Sequence, residues 1–284
     1  MTMPAVKTQK FSGMNQDQKN ELQHSSLNVS VSNPVIRTDG TEQKDVLIII
    51  PAYNEAGNLE AVHQDIRTQF PEADILFIND CSTDNTLEII RSFDDIHYLN
   101  LPVNMGYFYA IQSGLKYAAQ NKYKYVVQFD GDGQHLAREA KRMYEYACQN
   151  DVDIVIGSRF LEDYGYRHSF FRRVGTRMFQ QIIKLLTGKT ISDPTSGLQV
   201  LNYDVFSQLS KIYKYPDTAD ANLLINLLYN GYSIDELAVE MKNRETGESM
   251  HGGIIKPAKY MMKMFYYISV VYINHITGRK RVKQ

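Results

Sequence analysis

Asp130 and Asp132 stand one residue apart among glycines in "VVQFDGDGQH", residues 126–135, directly after an apolar run. Carboxylates crowded at the end of a buried strand repel each other and are poorly solvated, and a bound cation relieves both problems. Asp-x-Asp offers hard oxygen ligands on a tight loop. Mg²⁺ or Mn²⁺ held by one or two carboxylates takes its remaining ligands from water and phosphate oxygens. Gly131 and Gly133 let the backbone bend and a bulky ligand approach. The pair reads as a seat for a divalent metal against a diphosphate. The competing reading is a turn with an aspartate N-cap for the next helix.

Two more polar loops interrupt apolar runs. One holds Pro51, Ala52, Tyr53, Asn54 and Glu55; the other holds Asn79, Asp80, Cys81 and Ser82. The elements that must position all three loops alternate in type. "DVLIII", "ADILFIND", "KYVVQFD" and "DIVIGSRF" read as buried strands. "NLEAVHQDIRTQF" has helical spacing, with Leu59, Val62, Ile66 and Phe70 on one stripe. "TDNTLEIIRSF", with Thr83 or Asp84 as N-cap, "AIQSGLKYAAQ" and "HLAREAKRMYEYACQN" read as helices. Strands alternating with helices imply an α/β fold with a mostly parallel, doubly wound sheet. Ligands of such sheets bind beyond the carboxyl ends of the strands, so the three loops should line one crevice.

The chain has 284 residues, 43% of them hydrophobic, which is ample for one large α/β domain. A net charge of -1 argues against nucleic acid as a partner. Two cysteines, Cys81 and Cys148, form no disulfide framework and suit a reducing, cytoplasmic setting. Residues 1–44 have the composition of a disordered tail. No apolar signal core is expected there, and no window reaches the roughly 20 apolar residues of a spanning helix.

"IIIPAYNEAGNL", "INDCSTDNTLEII", "NMGYFYAIQSGLKYA", "QFDGDGQH" and "DIVIGSRF" follow in one fixed order. In that order they resemble the family 2 nucleotide-sugar glycosyltransferases of GT-A fold. The likeness is to the bacterial branch that resembles dolichol-phosphate mannose synthases. It continues through "SDPTSGLQVLN" and "MKNRETGESMH", defining a transferase domain over residues 45–252. The resemblance implies a metal-dependent, inverting sugar transfer from a UDP- or GDP-linked donor, with Mg²⁺ or Mn²⁺ as cofactor. By the same resemblance, Pro51, Ala52, Tyr53 and Glu55 border the nucleotide base and ribose, and Asp80 contacts the base. The alternative for Asp80 is a cap on the helix that follows it. Asp130 and Asp132 match the metal and diphosphate motif, Gly131 lies between them, and Gln134 extends the metal shell. Arg159 sits where a strand re-enters the site. Arg244, Ser249 and His251 match a late segment that closes over the diphosphate, with Arg244 helping to neutralise it. Asp220, before an apolar helix, matches an acidic position and is the candidate base; its alternative is again an N-cap. Relatives commonly carry small residues after Asn-x-Gly, whereas Tyr107, Phe108 and Tyr109 follow Gly106 here. These aromatics either narrow the sugar pocket or pack the following helix.

Two segments bear on the acceptor, which the resemblance makes a polyprenyl phosphate or a lipid-linked glycan. In "SFFRRVGTRMFQQIIKLLTGK", Phe171, Val174, Met178, Ile182 and Leu185 share a helical stripe, with Arg172, Arg173, Arg177 and Lys184 on other faces. Such a helix either lies in a membrane interface or packs on the body. Residues 253–284 hold the apolar "MFYYISVVYI", followed by Arg279, Lys280, Arg281 and Lys283. That pairing suits peripheral attachment to an anionic cytoplasmic leaflet, or a homo-oligomer contact. A soluble or protein acceptor, a nucleotidyltransferase and a non-catalytic nucleotide-sugar binder are the other classes considered. A nucleotidyltransferase usually has a basic Gly-rich loop after its first strand, and "PAYNEAGNL" has no basic residue.

Overall fold

The computed structural model describes residues 44–162, 170–212, 220–242 and 255–278. The expected tail thus lies almost entirely outside the described residues. The seven described strands are β1 (Val46–Ala52), β2 (Asp74–Asn79), β3 (His97–Asn100), β4 (Tyr125–Gln128), β5 (Ile154–Ser158), β6 (Gln199–Asn202) and β7 (Ile234–Ala238). They form one sheet in the order β3-β2-β1-β4-β6-β5-β7. All pairings are parallel except those of β6, which runs antiparallel to both β4 and β5. The described helices are α1 (Leu59–Gln69), α2 (Thr86–Ser92), α3 (Tyr107–Gln120), α4 (Ala137–Asn150), α5 (Phe170–Thr187), α6 (Tyr203–Ser210), α7 (Ala221–Tyr229) and α8 (Ile255–Ile276).

Both faces of the sheet are covered, which is why β1 reads as an unbroken apolar run. Leu47 and Ile49 point into one core with Ile111 and Leu115 of α3, Phe179 of α5 and Leu224 of α7. Ile48 and Ile50 point into the other, with Leu59 and Ile66 of α1 and Met143 of α4. The α1 stripe is fully buried, as the spacing predicts. The loop before α2 is held by Asp84, whose Oδ1 accepts from the Thr86 amide at 3.0 Å.

The stripe expected on α5 holds only at its centre, where Met178 and Ile182 pack against the core. Phe179 and Ile183 are buried, while Val174 is 51% exposed and Leu185 is 84% exposed. The helix is apolar on more than one side, so spacing alone permits two stripes offset by one residue. The sheet and α7 select the one centred on Phe179. Helix α8 docks on the same core through Met264 and Ile268, and His275 stacks on Tyr229 of α7 at 3.7 Å. Each such buried side chain is worth about 1.5–3 kcal/mol over leaving it in water. The opposite face of α8 exposes Met262, Phe265, Tyr266, Tyr272, Ile273 and Ile276. Among the described residues, no helix is long and apolar enough to cross a membrane.

Candidate active site

Strands β2 and β4 flank β1, so the chain reverses its direction of winding there and opens a crevice beyond their carboxyl ends. The loops after β1 and β2 are stitched together. The Asn54 amide donates to Ser82 Oγ at 3.0 Å and the Thr83 amide to Asn54 Oδ1 at 2.8 Å. The Glu55 amide donates to Thr86 Oγ1 at 2.9 Å. Pro51 and Ala52 are buried beneath this loop, while Tyr53 stands 47% exposed above it. The loop after β4 presses on the same floor: a Cβ on Gly131 would lie 3.0 Å from the Pro51 carbonyl.

Asp80 is buried, and it does not cap α2. Its Oδ1 and Oδ2 accept from the amides of Met105 and Gly106 at 2.7 and 2.8 Å. The carboxylate thereby fixes the turn that launches α3, at the positive end of that helix's dipole. Asn79 donates to Asn100 Oδ1 at 2.6 Å and accepts from the Ser82 amide at 3.2 Å, a pairing that needs both ends of a carboxamide.

Launching α3 at Gly106 carries Tyr107 into the crevice. Its hydroxyl donates to Asp130 Oδ1 at 2.7 Å. Burial pushes the Tyr107 hydroxyl well above its ordinary pKa, and the charges of Asp130, Asp220 and Asp132 push it in the same direction. Tyr107 therefore stays a neutral donor among three carboxylates. Phe108 and Tyr109 pack against the core of α3, as one of the two readings has it. On the other side of Asp130, His135 Nε2 lies 3.5 Å from Oδ2. His135 Nδ1 accepts the Asp130 amide at 3.0 Å, which places the proton of a neutral ring on Nε2, facing the carboxylate. Asp132 Oδ1 accepts from the Gln134 amide at 3.1 Å, and Gln134 Nε2 donates to the Lys242 carbonyl at 3.2 Å. Gln134 thus ties this loop to the chain that leads from β7 toward Arg244, Ser249 and His251. Those three residues lie outside the described residues.

The reversed β6 has a chemical consequence. A strand antiparallel to β4 begins where β4 ends, so residues 193–197 enter the site. A Cβ on Gly197 would sit 2.8 Å from Asp130 Oδ2, so only a bare backbone fits behind this carboxylate. Arg159, at the end of β5, holds the fully buried Asp193 with Nε at 2.6 Å and Nη2 at 2.8 Å. Its Nη2 also donates to Thr195 Oγ1 at 3.2 Å. Glu236 of β7 braces the same turn, accepting the Asp193 amide at 2.9 Å. Arg159 therefore organises the edge of the site through Asp193.

Asp220 occupies the N-cap position of α7, yet its side chain makes no capping bond. Its Oδ2 accepts instead from the Tyr260 hydroxyl of α8. Burial raises the Asp220 carboxyl to about 6, against the opposing pull of the Tyr260 hydrogen bond and the Arg159 charge; the Asp193 charge adds to the rise. A carboxyl of that pKa exchanges a proton near neutrality. Asp193 and Tyr260 also belong to this site, though the sequence gives neither a role there, and Tyr107 enters the crevice as one of the two readings of the aromatics after Gly106 has it.

Among the described residues, no three His, Cys, Asp or Glu side chains converge to form a metal cage. Asp130 and Asp132 nonetheless suit a hard divalent ion that completes its shell with water and phosphate oxygens. The partners of Asp130 among the described residues are a phenol and an imidazole, not a lysine or arginine.

The family model for glycosyl transferase family 2 matches residues 47–210. The chain belongs to glycosyl transferase family 2. This family 2 glycosyltransferase is 27% identical over 223 residues to a polyprenol monophosphomannose synthase of Mycolicibacterium smegmatis, covering 75% of this chain and 84% of the relative. It is 27% identical over 232 residues to an undecaprenyl-phosphate mannosyltransferase of Micrococcus luteus, covering 75% and 90% of the two chains. Its fold is that of GT-A glycosyltransferases. A glucosyl-3-phosphoglycerate synthase from Mycobacterium tuberculosis superposes with a TM-score of 0.61 at 16% identity, over 80% of each chain. A mannosyltransferase from Pyrobaculum calidifontis, in complex with GDP-Man and Mn²⁺, superposes with a TM-score of 0.54 at 18% identity, over 80% of this chain and 64% of that one.

Proposed function

We propose that this glycosyltransferase moves a sugar, with inversion and with Mg²⁺ or Mn²⁺, from a UDP- or GDP-linked donor to a polyprenyl-phosphate or other lipid-linked acceptor. The observation that carries the reading is that the Tyr107 hydroxyl donates to Asp130 while lying within the electrostatic reach of both Asp132 and Asp220. One crevice thereby holds a metal-type pair and a carboxyl titrating near 6. The names of the two mannosyl-transferring relatives support the acceptor class.

Pro51, Ala52, Tyr53, Glu55 and Asp80 form the nucleotide side, where the exposed Tyr53 ring offers a stacking face. Gly131 lets the loop that carries Asp130 and Asp132 sit close over the β1 floor beside the nucleotide side. Asp130 and Asp132, with Gln134 beside them, would hold the cation, which when bound neutralises charge on the departing diphosphate. Arg244, Ser249 and His251 keep the closing role that the resemblance implies, and Arg159 holds the edge of the crevice. In the transfer, the acceptor oxygen bonds to the anomeric carbon as the bond to the diphosphate breaks with its electron pair. A phosphate monoester loses its second proton near pH 6, so Asp220 is matched to take that proton or to orient the dianion.

The exposed apolar face of α8 and the following basic residues are read as the contact with the cytoplasmic membrane surface. Residues 45–252 are then the transferase unit and 253–284 the attachment segment. The test is transfer from UDP- and GDP-sugars to polyprenyl phosphate, with and without Mn²⁺ and with excess chelator. Asp132→Ala should nearly abolish transfer at unchanged melting temperature. Full activity in chelator removes the metal from the mechanism. Flotation with anionic liposomes should fall when Phe265 and Tyr266 are both replaced by Glu.

A further inference from the structure

We propose that Tyr107 is a positioning residue, whose hydroxyl holds Asp130 in the orientation that lets Asp130 and Asp132 take a divalent cation together with a nucleoside diphosphate. The inference rests on the metal-dependent reading above and adds a residue to it.

An aspartate at a strand end turns freely about two side-chain bonds unless its neighbours prevent it. Asp130 is held from three directions. The Tyr107 hydroxyl is 2.7 Å from Oδ1, and the His135 ring, itself oriented by the Asp130 amide, faces Oδ2 from 3.5 Å. Behind Oδ2 the Gly197 backbone leaves no room for a methyl group. The Tyr107 ring cannot swing away, because it packs edge-on against Phe108 at 5.2 Å and lies on the core of α3. A phenol is suited to this role. It donates one hydrogen bond and leaves the carboxylate's charge intact, whereas a lysine would compete with the cation. Oxygen atoms with a hydrogen bond on one lone pair still ligate through the other. Outer partners of this kind commonly change metal affinity by about 10- to 100-fold.

Tyr107→Phe keeps the ring and its packing and removes only the donor. Binding of GDP and of UDP to the full chain is measured by calorimetry with Mn²⁺ and with chelator, alongside the melting temperature without metal. The expected result is a loss of about tenfold or more in Mn²⁺-dependent nucleotide affinity, with the metal-free melting temperature unmoved. Equal Mn²⁺-dependent affinity in both proteins overturns the role of Tyr107 while leaving the metal site standing. If the wild type binds nucleotide equally well in chelator, the metal reading itself fails, and Tyr107's role with it. An Asp130→Ala background separates positioning from general damage. There Tyr107→Phe should have no further effect on nucleotide binding, and an undiminished further loss would make Tyr107 merely structural.

Discussion

Asp220 should be retained at a cost in stability that can be measured. Its carboxyl titrates at about 6 in the fold against 3.8 for a free aspartate. The folded state therefore holds the proton more tightly than the unfolded chain does. The resulting stability is fully present below the unfolded value and is lost as pH rises through 6. The whole shift corresponds to about 3 kcal/mol at 1.36 kcal/mol per pKa unit. About half of it disappears between about pH 5 and pH 7.5, from the same linkage relation. Asp220→Asn keeps an oxygen for the Tyr260 hydroxyl and has no proton to lose. The melting temperature of the Asn variant minus that of the wild type should therefore grow by about 3 °C over that interval, while transfer falls throughout. Calorimetric scans at the two pH values read this difference directly, and any constant effect of the substitution cancels. A gap that does not change with pH would show that Asp220 is an ordinary surface carboxylate, and the case for it as proton acceptor would collapse.

Tyr260→Phe should move the acidic limb of the pH–rate profile upward by about one unit, because the lost hydrogen bond is one that lowers the Asp220 pKa; an unmoved limb would assign that limb to another group. Gly197→Ala should drive a methyl group into Asp130 Oδ2 and remove Mn²⁺-dependent nucleotide binding at a stability loss of about 1–3 kcal/mol, and tight binding by this variant would show that Asp130 can move and still ligate.

The chain advertises some of these features and conceals others for physical reasons. β1 and β2 are legible because both faces are buried, leaving runs without polar interruption. β7, "IDELA", is not, because Asp235 and Glu236 interrupt it with charge that is satisfied only by the fold: Asp235 accepts from Tyr146 and Glu236 from the turn at Asp193. β6 is four residues long and antiparallel, so nothing in its local pattern tells that it slips between β4 and β5. α5 misleads because its apolar residues fill more than one stripe. In the site, Asp130 and Asp132 stand out because they sit two residues apart in one short motif. Asp193 and Tyr260 escape notice because their partners lie 34 and 40 positions away, and Tyr107 stands out as an unusual aromatic while its bond to Asp130, 23 positions on, stays hidden; all become neighbours only through the fold. Asp80 looks like a cap for the nearest helix, but the amides it meets belong to the next one.

The hydrogen bond from Tyr260 to Asp220 also has a consequence in time. A polypeptide is made from its N-terminus, and its early parts fold while later ones are still being added. The sheet, the loop at Asp130 and the head of α7 are all present before α8 has been synthesised. Until then the core lacks Met264 and Ile268, and Asp220 lacks its phenol. A nascent chain halted before α8 emerges would carry the metal-type pair beside an Asp220 that nothing from α8 yet orients. Helix α8 is therefore the keystone of the crevice, and the surroundings of Asp220 are completed only after every strand of the sheet has been made.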